Sequence, residues 1–345
     1  MRAHGAHVSV AALLLGFVWD SVTFGYADQV FGNVVFVTYF LLSAMAILLL
    51  SFYRRRGRDA PLYLAPLANF AFGNIASGLL VVYGHSGSFE GSWLFFAVLL
   101  AFIVGNEVAR GSRAEFTFHI SAWYFLLLGY LAMIVPVVLG RLGSAVFALS
   151  VLASLAITSV FLVILSLALP TGVRINVKET AQSIILICVL MVGLYVANIM
   201  PPVPLSLTDI GVYHAVQKLP SGDYRGAYEE PHWYEFLRST RKTFMRIPGE
   251  QAYCVSAVFA PVRLATGVVH HWEAYDTALE EWQTRATVAF PLTGGRADGY
   301  RGYTVKSDLT PGYWRCSVET EGGALIGRTT FEVVDGLPEL SERIF

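Results

Sequence analysis

Long apolar runs fill the first 200 residues of the chain and short alternating ones fill most of the rest, so the pattern divides before any composition is counted. A helix that crosses a hydrocarbon core needs about 20 mostly apolar residues. Seven stretches reach that length, at roughly 8–25, 33–52, 61–83, 92–108, 117–139, 144–169 and 182–200, joined by connections too short to hold domains. From about Gln251 the period falls to two. Within 283–292, Ala286, Val288, Phe290 and Leu292 share one face, with Arg285 and Thr287 on the other. Within 312–320, Trp314, Cys316 and Val318 point inward, and Leu325, Gly327, Thr329, Phe331 and Val333 form the inner face of a last strand after the Gly322-Gly323 turn. Further strands are expected near 253–259, 268–275 and 300–306. The predicted fold is an α-helical membrane bundle of seven transmembrane helices followed by an all-β sandwich. The expected organisation is a membrane domain over 1–200, a proline-rich stalk over 201–208 carrying Pro201, Pro202 and Pro204, a sandwich over 209–335 and a tail over 336–345.

Charge sharpens this division. Lys, Arg, Asp and Glu make up 17 of the first 200 residues and 32 of the remaining 145, so only the second part approaches the soluble norm of about a quarter. A net charge of −1 gives no case for a nucleic-acid binder. The cations of the first part also alternate. Arg2, the group Arg54, Arg55, Arg56 and Arg58, the pair Arg110 and Arg113, and the pair Arg174 and Lys178 fall on one side of the expected spans, against Arg141 alone on the other. Positively charged short loops stay cytoplasmic, which predicts the N-terminus inside and the C-terminal domain outside. The first stretch also fits a signal peptide, although no small-x-small cleavage site stands out after Asp20.

Several segments together resemble an uncharacterised family of bacterial integral membrane proteins: GFVWDSVTFGYAD (16–28), FAFGNIASG (70–78), SWLFFAVLLAFIVGNEVARG (92–111), PVVLGRLG (136–143), PPVPLSLTDIGVYHAV (201–216) and GGRADGYRGYTVKSDLTPGYWRCSVETEGGALIGRTTFEV (294–333). Its members join a multi-helix membrane domain of unknown function to a C-terminal β domain, also of unknown function. The resemblance implies a bacterial inner-membrane location, so that outside means periplasm, and it transfers no catalytic residue. Cys316 departs from it, standing where the family is more often aliphatic.

Familiar catalytic and nucleotide-binding motifs are absent, and no cofactor, metal or catalytic residue is expected. Asp20 is a carboxylate inside an expected span, read as an interfacial cap or ion pair, with proton or ion coupling as the alternative. Asn69, Asn74 and Ser77 line the third stretch, with Gly73 and Ser77 in small-xxx-small spacing for close helix packing. Asn106, Glu107 and Arg110 sit at the inner end of the fourth and His119 begins the fifth. Glu107 is expected to pair with Arg110, the alternative being a polar site shared with His119. His270 and His271 are neighbours on a strand and point to opposite faces, which argues against a shared metal. Cys254 and Cys316 are a candidate disulfide, or else two buried hydrophobes. Arg296, Tyr300 and Arg301, in a glycine-rich loop, form a candidate ligand site for a carboxylate or phosphate, or else a hairpin whose arginines pair locally. The segment 231–242 (PHWYEFLRSTRK) suits either an interfacial helix on the outer leaflet or aromatic packing under the sandwich.

The expected function is a non-enzymatic envelope protein, lying in the lipid bilayer and displaying a β-sandwich that binds a periplasmic protein, an acidic glycan or a lipid headgroup. A transporter or channel for lipid or small solute is the alternative, and a membrane-embedded enzyme using Glu107 and His119 is a third.

Overall fold

The computed structural model describes residues 24–87, 89–108, 115–168, 177–220, 223–230, 242–261, 264–293 and 299–345. The chain separates into two compact units with the boundary between Pro204 and Leu205.

The first unit is helical, with α1 (Val30–Arg55), α2 (Leu64–Ser86), α3 (Phe89–Val108), α4 (Glu115–Leu139), α5 (Ser144–Ala168) and α6 (Val177–Val196). Seven membrane spans are not what the structure carries. Among the described residues there are six helices, and five of them (α1, α2, α4, α5 and α6) are long and apolar enough to cross a membrane. The expected span at 8–25 falls almost wholly outside the described residues, and its last two, Phe24 and Gly25, are not helical. That at 92–108 corresponds to α3, whose apolar part, Gly91–Phe102, is too short. Its sequence window was lengthened by a polar end containing Asn106 and Glu107.

Aromatic side chains fill the interior of this unit. Phe36 and Phe40 of α1 lie 5.3 and 5.6 Å from the Tyr130 ring of α4, and Trp123 stacks on Phe161 of α5 at 4.7 Å. The buried Tyr83 hydroxyl donates to the Gly129 carbonyl at 2.8 Å, tying α2 to α4. Outward, α5 and α6 expose Val160, Val163, Leu167, Ile185, Leu186 and Val189. The expected close approach at Gly73 and Ser77 is displaced by one step. A Cβ at Gly73 would meet nothing within 4 Å, whereas one at Gly78 would meet the Phe24 and Phe36 rings at 2.8 and 2.9 Å.

The second unit is all β. Its strands are β1 (Ser206–Tyr213), β2 (Ala215–Lys218), β3 (Tyr224–Glu229), β4 (Lys242–Arg246), β5 (Ala252–Phe259), β6 (Ala265–Asp276), β7 (Glu281–Thr293), β8 (Tyr300–Lys306), β9 (Gly312–Thr320), β10 (Leu325–Asp335) and β11 (Leu340–Ile344). They form a sheet β1-β5-β8, a sheet β4-β10-β9-β6-β7 and a small sheet β11-β3-β2. All pairs are antiparallel except β10 with β4. Cys254 and Ala252 of β5 pack against Trp272, Trp314, Cys316 and Phe331 of the five-stranded sheet, which makes these two sheets a sandwich.

Two expected boundaries move. Residues 201–208 are no free stalk: Pro201, Val203, Pro204 and Leu205 are buried, as apolar side chains with a neighbouring surface will be, and β1 already begins at Ser206. Nor is 336–345 a tail. β11 pairs with β3, and Phe345 exchanges backbone hydrogen bonds with Tyr224 at 2.9 and 3.0 Å.

Candidate functional site

The β unit carries a groove of about 760 Å³ between β1, β3, β4 and β11, with part of β10 at its base. Tyr213, Phe244 and Leu340 supply apolar wall, and Asp209, Lys242 and Arg343 supply charge of both signs. Alternation along β1 brings Asp209 and Tyr213 to the same side, and the antiparallel return of β11 sets Arg343 against Asp209 at 3.5 Å. Such a surface offers a ligand both stacking area and directional polar contacts.

His214 lies at the end of this groove, between β1 and β2, where its backbone N–H donates to the Ala227 carbonyl. Its side chain is 2% exposed. The ring stacks on Phe244, 4.1 Å between centroids and 6° from parallel. Nε2 meets Glu229 Oε1 at 2.9 Å and Nδ1 meets Glu250 Oε1 at 2.8 Å. Burial works to lower the pKa of the ring, and the two carboxylates outweigh it, so the pKa stands above that of a free histidine. Both ring nitrogens facing acceptors is the arrangement of an imidazolium, which donates from both. The carboxylates are themselves fixed, because Glu229 Oε1 accepts the Met245 N–H and Glu250 Oε2 accepts that of Ile247. The clamp thus ties β3 and the β4–β5 turn to the start of β2.

A second polar cluster lies on the outer face of the five-stranded sheet. Arg315 grips Glu273 through two hydrogen bonds at 2.6 and 2.8 Å and lies 4.4 Å above the Trp282 ring. Burial tends to raise the pKa of Glu273, but Arg315 holds it below the usual carboxylate range. His271 faces Glu319 at 3.5 Å on the same face. This cluster satisfies itself and leaves less for a ligand than the groove.

The third cluster is in the core. His270 is fully buried, with Nε2 at 2.8 Å from Ser256 Oγ and Nδ1 at 2.9 Å from Thr304 Oγ1, which also accepts from Trp272 Nε1 at 3.0 Å. Burial, with the neighbouring His271 charge, pushes its pKa down to about 4, so the ring is neutral near pH 7. Cys254 and Cys316 are joined as a disulfide that links the two sheets. Both are fully buried and face the same core.

The remaining sequence-derived candidates scatter. Arg296 lies outside the described residues, and Tyr300 and Arg301 are successive residues of β8, paired with Val258 and Ala257, so their side chains leave opposite faces of the sheet. They do not converge on one ligand. Asp20 and residues 231–241 are outside the described residues, and the side chains of Asn106 and Glu107 are too. His119 stacks on Phe72 of α2 at 5.6 Å and 7°. Asn74 donates to the Phe70 carbonyl of its own helix instead of linking helices, and the buried Asn69 Oδ1 finds no partner among the described residues. No motif marks the His214 clamp in the sequence, because its carboxylates lie 15 and 36 residues from the histidine.

Residues 265–333, covering β6 to β10, match a family described as a protein of unknown function (DUF2914). No curated protein matches the chain. Among solved structures, a beta-glucosidase from Listeria innocua in complex with gluconolactone is 11% identical over 34% of this chain and 17% of its own, with a TM-score of 0.21. A Beta-D-glucoside glucohydrolase from Trichoderma reesei is 12% identical over 38% of this chain and 19% of its own, with a TM-score of 0.20. The alkylpurine DNA glycosylase AlkC from Pseudomonas fluorescens, bound to DNA containing an abasic site analog, is 12% identical over 88% of this chain and 98% of its own, also at 0.20. The chain thus spans under a fifth of the length of either glucosidase, and likenesses at these scores carry no argument about what it does.

Proposed function

We propose that the chain is a bacterial inner-membrane protein whose helices hold a β-sandwich on the periplasmic side, where the sandwich binds an envelope partner without catalysing a reaction. Support for the membrane placement comes from the five long apolar helices and from apolar side chains such as Leu167 and Ile185 turned outward on α5 and α6. With α3 counted as a sixth crossing, the loop cations other than Arg141 fall on the side opposite the β-sandwich, which supports the orientation. Support for binding rests above all on the groove of about 760 Å³, in which aromatic wall and charges of both signs meet. The partner is a periplasmic protein, an acidic glycan or a lipid headgroup.

A photo-crosslinking residue placed at Leu340, in the groove, tests the reading in intact cells, with Leu279, an exposed residue of the β6–β7 turn, as the control. A discrete adduct from Leu340 and none from Leu279 is the expected result. Equal labelling from both positions, or none from either, would overturn it.

A second reading, passage of a small solute through the helical unit, draws on buried polar atoms. Asn69 Oδ1, Ser77 Oγ, Trp123 Nε1, Thr158 Oγ1 and Thr180 Oγ1 have no hydrogen-bond partner among the described residues, and an ordered water or a passing solute is one way to satisfy a buried polar atom. Solvent access to a cysteine introduced at Thr158 would favour that reading, and complete protection from small thiol reagents would count against it.

A further inference from the structure

The disulfide that pins the two sheets of the sandwich has a third potential ligand against it. The sulfurs of Cys254 and Cys316 and a ring nitrogen of His270 all lie within 4.8 Å of one another, and all three residues are fully buried. They come from β5, β9 and β6, and the strand pairing fixes them, since Trp272, two residues after His270, is opposite Cys316. A neutral imidazole donates from one nitrogen and accepts at the other. One of the two hydroxyls on His270 therefore occupies a lone pair that a metal ion can take, while the other holds the ring in place, as the outer partner of a metal-bound histidine does.

We propose that the β unit contains a redox-gated zinc site, in which opening of the Cys254–Cys316 disulfide by a dithiol reductant releases a Cys₂His ligand set, completed by His270, for one Zn²⁺. In the first step the dithiol passes two electrons and two protons to the sulfurs. The protein S–S bond breaks, two protein thiols form, and the reductant becomes a disulfide. In the second, Zn²⁺ forms two Zn–S bonds and one Zn–N bond, and the two thiol protons leave to solvent. Two thiolates and Zn²⁺ sum to zero charge, which suits a site packed among Trp272, Trp314 and Phe331. Cu⁺ would leave that core with a net negative charge, and Mg²⁺ or Ca²⁺ prefers oxygen ligands. Three protein ligands leave the fourth zinc position to a water or hydroxyl, a known pattern for this metal.

The test uses the full chain in detergent, in a Cys188→Ser background that removes the cysteine of α6. Co²⁺ serves as the probe, added anaerobically after the dithiol has been removed, and near-ultraviolet circular dichroism of the buried tryptophans follows the fold. The reduced chain is expected to take one Co²⁺ with a sulfur-to-cobalt absorption band that Zn²⁺ abolishes, and the oxidised chain to show none. His270→Ala should weaken binding by at least roughly 10- to 100-fold, the loss seen when even an outer-shell partner of a metal is removed. Cys316→Ser should remove the band. The proposal fails if the reduced chain keeps its tryptophan signal but shows no band, if it unfolds on reduction, or if His270→Ala binds as tightly as the parent.

Discussion

Replacing His214 by Gln tests whether the clamp at the groove is held by a charged ring. Gln keeps polarity and some length but carries no charge at any pH. In the parent, an imidazolium makes hydrogen bonds of 2.8 and 2.9 Å to Glu250 and Glu229, and a hydrogen bond to a charged group contributes about 1.5–3 kcal/mol. The Glu229 and Glu250 side chains are 16% and 21% exposed, so water compensates part of the loss and the low end of each range applies. About 3 kcal/mol of destabilisation is therefore expected in mildly acid solution. The sign with pH follows from the raised pKa. The stabilisation is fully present below the unfolded-state value of about 6.5 and is lost as the pH rises through the folded-state value. Above that, a neutral ring serves one carboxylate and turns a lone pair toward the other. Phe244, from β4, adds no charge. Pulse proteolysis of the full chain in urea, at pH 6 and pH 9, measures the difference between parent and variant. A cost that is the same at both pH values would refute a charged clamp, as would a cost that grows on the alkaline side.

Four further outcomes follow from the packing. Arg315→Ala leaves Glu273 partly buried without its guanidinium partner and should cost about 1–3 kcal/mol near neutral pH. Because Arg315 lowers the Glu273 pKa, that cost should shrink as the pH falls from the ordinary carboxylate range through the lowered folded-state value, and urea midpoints of the full chain at pH 7 and about pH 3 would show it. Gly78→Ala pushes a methyl group into the Phe24 and Phe36 rings and should lower the stability of the helical unit by about 1–3 kcal/mol in detergent melting. Gly73→Ala, with nothing in its way, should be neutral or gain up to about 1 kcal/mol from helix propensity. Tyr83→Phe deletes the hydroxyl that bonds Gly129 and should cost about 1 kcal/mol in the same melting assay.

What the sequence discloses depends on how each element is covered. Strand β10 is legible because it has one covered face: it reads intermediate and buried in near alternation, and Thr329, Phe331 and Val333 are its inner residues. β5 is different. All of its residues but Tyr253 are buried, because β1 and β8 pair with its two edges and both faces are covered, and a strand covered on both faces loses the period of two. That is why the side to which Cys254 points could not be read from its neighbours, although Cys316 could be placed. At the other extreme, β11 is exposed at nearly every residue and has no apolar face to announce it. Its ladder with β3 and the Phe345–Tyr224 backbone pair hold it, and main-chain hydrogen bonds leave no trace in composition.

The two histidine sites differ in the same way. His270 and His271 are visible as a dipeptide, and strand geometry alone puts them on opposite faces. His214 sits in an unremarkable YHAV run, and its partners arrive from β3 and from the turn before β5. Two carboxylates favour the charged form of one ring, and the other is held neutral between two hydroxyls, so its partners, and not the histidine itself, decide what each can do. A charged His214 can organise the end of a polar groove, whereas a neutral His270 keeps a lone pair beside two sulfurs. Neither property is local in sequence, because each depends on strands that meet only after the sheets have closed.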